Sequence, residues 1–115
     1  MLKDDCLFCK IIKGDIKSTK IYEDEYVYAF ADIAPQAPFH AVIVPKIHIC
    51  CADEIDSENS IYIAKIFEAI AKISKKENLE NGYRVVNNCG TDGGQTVGHL
   101  HFHLLARRNL AWPPG

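Results

Sequence analysis

No run of ~18 apolar residues occurs in the chain, which excludes a membrane-spanning helix. The opening Met1-Leu2-Lys3-Asp4-Asp5 lacks the basic-then-apolar pattern of a secretory leader, so a soluble, cytoplasmic protein is expected. Positive charge is not in excess either. Lys and Arg number 13 against 15 Asp and Glu, a formal net charge of −2. That balance gives no electrostatic case for nucleic acid or an anionic membrane as partner. An even set of cysteines is missing too: five (Cys6, Cys9, Cys50, Cys51 and Cys89) fit a disulfide framework poorly. Internal repeats, low-complexity tracts and linkers are absent, and 115 residues suit one domain, 1–115, with a real core.

What is present is concentrated near the end. His99-Leu100-His101-Phe102-His103 sets three histidines in strict alternation, with Leu104 and Leu105 following. The run reads as a β-strand, whose period of two puts all three imidazoles on one face, neighbours about 6.6 Å apart along the strand. Leu100, Phe102 and Leu104 then pack inward on the other face. A lone histidine is usually structural; three in register make a site. Directly upstream lie Gly93-Gly94-Gln95-Thr96-Val97-Gly98, with Gly90 before them. Glycines let backbone N–H groups approach an anion closely. By itself such a loop is an ordinary hairpin connection, but joined to aligned histidines it reads as a phosphate cradle. Breaking a P–N or P–O bond needs a nucleophile, stabilisation of charge on phosphorus and a proton for the leaving group. Neutral imidazole can attack directly, and its unperturbed pKa of about 6.5 leaves it mostly neutral at cytosolic pH.

The remaining sequence predicts an α+β fold, an antiparallel sheet with one long helix and a short N-terminal one. A short helix over 7–13 ends at Gly14. Ile21–Glu23 and Tyr26–Ala31 pair around Asp24-Glu25, and His40–Val44 is a buried strand stopped by Pro45. Asp56 or Ser57 caps a helix running to about residue 78. Its apolar face is Ile63, Ile66, Phe67, Ile70, Ile73 and Ser74, and Glu68 can pair with Lys72. Asn81-Gly82 turns into a strand over Tyr83–Asn87. Cys50, Cys51 and Cys89 read as small hydrophobes, whereas Cys6-Leu7-Phe8-Cys9 suits metal or redox chemistry, and no βαβ pattern supports a thioredoxin-like role.

Gln95-Thr96-Val97-Gly98-His99-Leu100-His101-Phe102-His103-Leu104-Leu105 resembles the signature of the histidine-triad (HIT) nucleotide-binding family. The resemblance extends to Phe8–Ile12, Asp32–Pro38 and Pro45–His48, nearly the whole chain. Trp112-Pro113-Pro114-Gly115 looks like the branch of purine nucleoside phosphoramidases, in bacterial-type form. The resemblance implies that His101 is the nucleophile and His103 contacts phosphate and helps protonate the leaving amine, with His99 and His40 as further members of the relay. It implies a nucleotide site of Asp32 on the ribose hydroxyls, with Leu7, Phe8, Ile11, Phe30 and Ile33 around the base. Asn88, Gln95, Thr96 and Val97 lie toward the phosphate, and Trp112 reaches the pocket of a partner in a homodimer. By composition alone the apolar members would be read as core.

The same resemblance implies a structural zinc on Cys6, Cys9, His48 and His99, which would withdraw His99 from acid–base work. The competing state is a reduced, metal-free pair with His99 in the relay. The expected ligands are purine nucleoside monophosphates (AMP, GMP) and their derivatives, with no cofactor needed for the chemistry. Three other readings compete: dinucleoside-polyphosphate hydrolysis, disfavoured by the Trp112–Gly115 ending; a catalytic zinc on the triad; and a non-catalytic nucleotide-binding scaffold. The chain departs from the family pattern at Gly98, at Ala106-Arg107-Arg108 where Gly-Gly-Arg is common, and at Cys89.

Overall fold

The computed structural model describes residues Met1–Gly115. Its elements are α1 (Leu7–Lys13), β1 (Lys20–Glu23), β2 (Val27–Ala31), β3 (Phe39–Pro45), a 3₁₀ turn at Ala52–Glu54, α2 (Ile61–Lys76), β4 (Tyr83–Val86) and β5 (Phe102–Ala106). The strands form one antiparallel sheet in the order β1-β2-β3-β5-β4. The α+β expectation therefore holds. No helix is long and apolar enough to cross a membrane.

β3 explains the layering, because all of its residues are buried. Phe39, Ala41 and Ile43 enter a core of 15 buried residues that includes Ile66, Ala69, Ile70 and Ile73 of α2. Val42 and Val44 enter a cluster of 8 buried residues with Phe8, Cys9 and Ile11 of α1. The sheet thus separates a large apolar core from a smaller α1-side layer, and alternation along each strand decides which side a residue joins.

The ends of α1 follow from its sequence. Cys6 is the N-cap, its Sγ taking the Cys9 N–H at 3.4 Å, and Gly14 closes the helix in the left-handed region at φ 86°, which glycine adopts without a Cβ clash. α2 begins later than the sequence predicts. Asp56 Oδ1 accepts the N–H groups of Glu58 and Asn59 at 2.9 and 3.2 Å, so it caps the turn before the helix, while the N-cap is Ser60, with no side-chain bond. Phe67 leaves the predicted apolar face: it is 48% exposed and rests edge-on against Phe102. Glu68 pairs with Lys65 at 3.3 Å rather than with Lys72.

Candidate active site

The histidine run is only partly strand. Its hydrogen-bonded ladder starts at Phe102, so His103 alone of the three lies in β5. The reason is the partner: β3 ends at Pro45, which has no N–H to donate, and the Leu100 N–H turns instead to the Ile49 carbonyl at 2.6 Å. On the other side, the Asn87 side chain donates to the His101 carbonyl at 2.9 Å, a side-chain rung where β4 has stopped at Val86. The alternation survives without the ladder. Leu100, Phe102 and Leu104 join the α2-side core, which leaves the imidazoles on the α1 side, where Phe8 meets His99 and His101 edge-on with centroids 5.9 and 5.0 Å away.

Main-chain partners assign the ring protons. His101 Nδ1 is 2.7 Å from the His99 carbonyl, which can only accept, so Nδ1 carries the proton and Nε2 keeps its lone pair. His103 meets it edge-on, ring centroids 5.1 Å apart. His103 Nδ1 lies 2.8 Å from His40 Nε2, and Asp32 Oδ2 sits 3.4 Å from that His40 atom and 3.9 Å from His103 Nδ1. Burial pushes the His40 and His103 pKa values below the ordinary histidine range; His101 and His40 lower His103 further, and the Asp32 carboxylate opposes the shift at both. No buried side-chain nitrogen or oxygen is left without a partner.

The two rings line a cleft of about 750 Å³. Leu7, Phe8, Ile11, Phe30 and Ile33 form its apolar walls, and Asn88, Thr96, Val97, His101 and His103 its polar end, with Asp32 between. Eleven residues named from sequence thus converge here. Gln95 does not line the cleft. Its Oε1 accepts the Gly90 N–H and its Nε2 donates to the Cys50 and Val97 carbonyls at 2.9 and 3.0 Å, so it staples the glycine loop shut. Gly93 is obligatory there, since a Cβ would lie 2.8 Å from the Cys89 nitrogen. Trp112 is 82% exposed and off the cleft of its own chain. Sequence reasoning missed Ile16, Lys17, Ser18 and Thr19, which also line the cleft. They carry no motif, and only the path from Gly14 to β1 brings them to the wall.

His99 turns away from the cleft. Its Nε2 donates to the Pro45 carbonyl at 3.3 Å, leaving Nδ1 as a lone pair 3.3 Å from Cys6 Sγ and 3.5 Å from Cys9 Sγ. His48 Nδ1 is also 3.5 Å from Cys9 Sγ. The four donor atoms lie within 4.8 Å of one another. Zinc bonds of about 2.3 Å to sulfur and about 2.05 Å to nitrogen at a tetrahedral angle separate S from N by about 3.6 Å, close to the 3.3 and 3.5 Å found here, so the donor set fits that ion. Burial pushes the His99 pKa down to about 4, against the opposing Pro45 hydrogen bond, and favours the neutral ring that a metal needs.

A family model described as the HIT domain matches residues 13–110. The chain is 39% identical over 110 residues to the purine nucleoside phosphoramidase of Escherichia coli (strain K12), covering 95% of this chain and 92% of that protein. It is 47% identical over 117 residues to a 14 kDa zinc-binding protein of Zea mays, covering 95% of this chain and 87% of that protein. A HIT family hydrolase from Legionella pneumophila Philadelphia 1 matches in structure with a TM-score of 0.94 and 46% identity, over 96% of this chain and 100% of that one. The alternating histidines, the sheet that presents them and relatives matched along almost their full length lead to one conclusion: the chain belongs to the HIT family.

Proposed function

We propose that the protein hydrolyses purine nucleoside 5′-monophosphate derivatives (phosphoramidates or nucleotidyl conjugates) and releases AMP or GMP through a nucleotidyl-His101 intermediate. The observation that carries this reading is the bare Nε2 of His101, held ready by the 2.7 Å Nδ1–H bond to the His99 carbonyl at the polar end of an apolar cleft. The phosphoramidase activity named for the E. coli relative supports the substrate class.

In this reading the purine lies between Leu7, Phe8, Ile11, Phe30 and Ile33, and Asp32 accepts hydrogen bonds from the ribose hydroxyls. The Thr96 hydroxyl, the Val97 N–H and Asn88 hold the phosphate. His101 Nε2 gives its lone pair to phosphorus. The P–N bond breaks, its electron pair leaves with nitrogen, and that nitrogen takes the Nε2 proton of His103. His103, neutral at rest, gains its second proton on Nδ1 with the substrate; that N–H and the His40 Nε2–H then turn from each other to Asp32 Oδ2, 3.9 and 3.4 Å away, and the phosphate anion supports the added charge. Water then attacks phosphorus, returns its proton to His103, and rupture of the P–Nε2 bond restores neutral His101.

Cys6, Cys9, His48 and His99 would hold a zinc ion, whose contribution when bound is to clip the N-terminal segment to the sheet and fix the His99 carbonyl that orients His101. Two features support a homodimer: β4 is an edge strand, and Phe67, Tyr83 and Trp112 expose apolar surface. Five free thiols favour a cytoplasmic location. The test is turnover of adenosine and guanosine 5′-phosphoramidates by the wild type and His101→Ala. Loss of several powers of ten in a folded variant is expected; equal rates would refute the covalent mechanism.

A further inference from the structure

His40 is the one ring of the site whose capacity for protons is decided by a peptide bond outside the histidine run. The Gln36 N–H points at His40 Nδ1 across 3.0 Å. A donor in that place requires a lone pair, so the His40 proton resides on Nε2, from which it bonds to His103 Nδ1 at 2.8 Å. His103 Nδ1 is then an acceptor, and the His103 proton resides on Nε2, facing the cleft. A second proton on His40 would set two N–H groups against each other. The same clash keeps His40 from ligating a cation through Nε2, because the ring proton would have to move to Nδ1. The three potential ligand atoms of Asp32, His40 and His103, though within 4.8 Å of one another, are therefore not a metal site.

The Gln36 amide is aimed by the loop that carries it. Asp32 Oδ1 accepts the Ala34 N–H at 2.8 Å, Gln36 Nε2 donates to the Ala34 carbonyl at 3.0 Å, and Pro35 and Pro38 stiffen the path. Those ties are internal to the loop. Arg108 supplies one from elsewhere, its Nε donating to the Gln36 carbonyl at 3.0 Å while its Nη1 donates to the Asn109 carbonyl at 3.0 Å. Arg108 lies two residues past the end of β5, the strand that bears His103. It therefore ties the loop that sets the His40 tautomer to the strand whose histidine reads it.

We propose that Arg108 is a positioning residue: by holding the Gln36 main chain it keeps His40 a neutral Nε2–H donor and His103 in the tautomer that presents its Nε2–H to the cleft. Proton traffic then ends at His103 and Asp32, and His40 orients without carrying.

The kinetic arm rests on the hydrolase reading; the spectroscopic arm does not. ¹⁵N NMR of the imidazoles at neutral pH, on the zinc-loaded wild type, Arg108→Met and Arg108→Lys, reads each ring nitrogen directly. The expected wild-type result is a protonated Nε2 and a bare Nδ1 on both His40 and His103. Arg108→Met should show a second His40 tautomer and a ~10-fold lower kcat with KM within ~2-fold, and Arg108→Lys should recover most of both. Arg108 is exposed, so neither variant removes core packing. A wild-type His40 protonated on Nδ1 would overturn the proposal, and so would an Arg108→Met enzyme that loses kcat with both tautomers unchanged, or keeps both. A wild type with the stated tautomers and no turnover of nucleoside phosphoramidates would instead refute the activity and leave the positioning role supported.

Discussion

Replacing Asp32 by Asn leaves a side chain of the same shape and removes one charge, which separates two roles that the carboxylate combines. Its Oδ2 lies 3.9 Å from His103 Nδ1 and 3.4 Å from His40 Nε2, and the Asp32 side chain is 20% exposed. At an effective dielectric of about 20, unit charges 3.9 Å apart attract by about 4 kcal/mol. Solvent relaxation around the neutral amide reduces the loss to about 1–3 kcal/mol, so the His103 pKa should fall. That pKa already lies below the ordinary range through burial and the neighbouring His101 and His40, and Asp32 is what holds it up. The sign follows from the proposed first step, which needs protonated His103. The alkaline limb of the kcat profile should move toward acid, lowering kcat at neutral pH by ~5- to ~150-fold. The assay is the pH dependence of kcat on adenosine 5′-phosphoramidate for both proteins. A raised KM with an unmoved alkaline limb would refute the reasoning and reduce Asp32 to a ribose ligand.

Zinc removal should act on stability before chemistry: chelation, or Cys9→Ser, should lower the melting temperature by ~10 °C while kcat of the molecules still folded changes by less than ~3-fold. Calorimetry alongside initial rates would check this, and kcat falling to zero in still-folded protein would place the metal in the reaction. Asn87→Ala removes the 2.9 Å bond to the His101 carbonyl. Its expected cost is ~1 kcal/mol of stability and ~10-fold in kcat, with AMP affinity by calorimetry unchanged. Because the folded-state pKa values of His40 and His103 are depressed, the unfolded chain takes protons first, so denaturant midpoints should fall as pH drops below about 6.5. A midpoint that rises on acidification would contradict the burial argument.

The parts legible in the sequence share a property: neighbours in the chain that face one way. Leu7–Lys13 closed by Gly14, and the odd-numbered histidines opposed to Leu100, Phe102 and Leu104, needed only local geometry. The Cys6, Cys9, His48 and His99 set was legible through the family pattern, and the structure gathers it. What escaped depends on where distant pieces stop. The ladder beneath His101 is missing because Pro45, more than fifty residues away, lacks an N–H, and Asn87 matters only because β4 ends one residue before it. Phe67 fits the helical period, yet its flank of α2 lies beyond the edge of the covered face. Ile16–Thr19 and the Gln36 amide carry no chemistry of their own type, since a main-chain N–H is invisible in a residue name.

The alternation through β5 makes one strand both the floor of the main core and the working surface of the cleft. Sliding it by a single residue would drive imidazoles into the α2 layer and turn leucines toward the nucleotide, so no intermediate register retains part of the activity. A change in the molecules the cleft accepts therefore cannot come by adjusting this strand. It is left to α1, Ile16–Thr19 and Ile33, the stretches of its wall that lie outside the sheet ladder and can vary without disturbing the register.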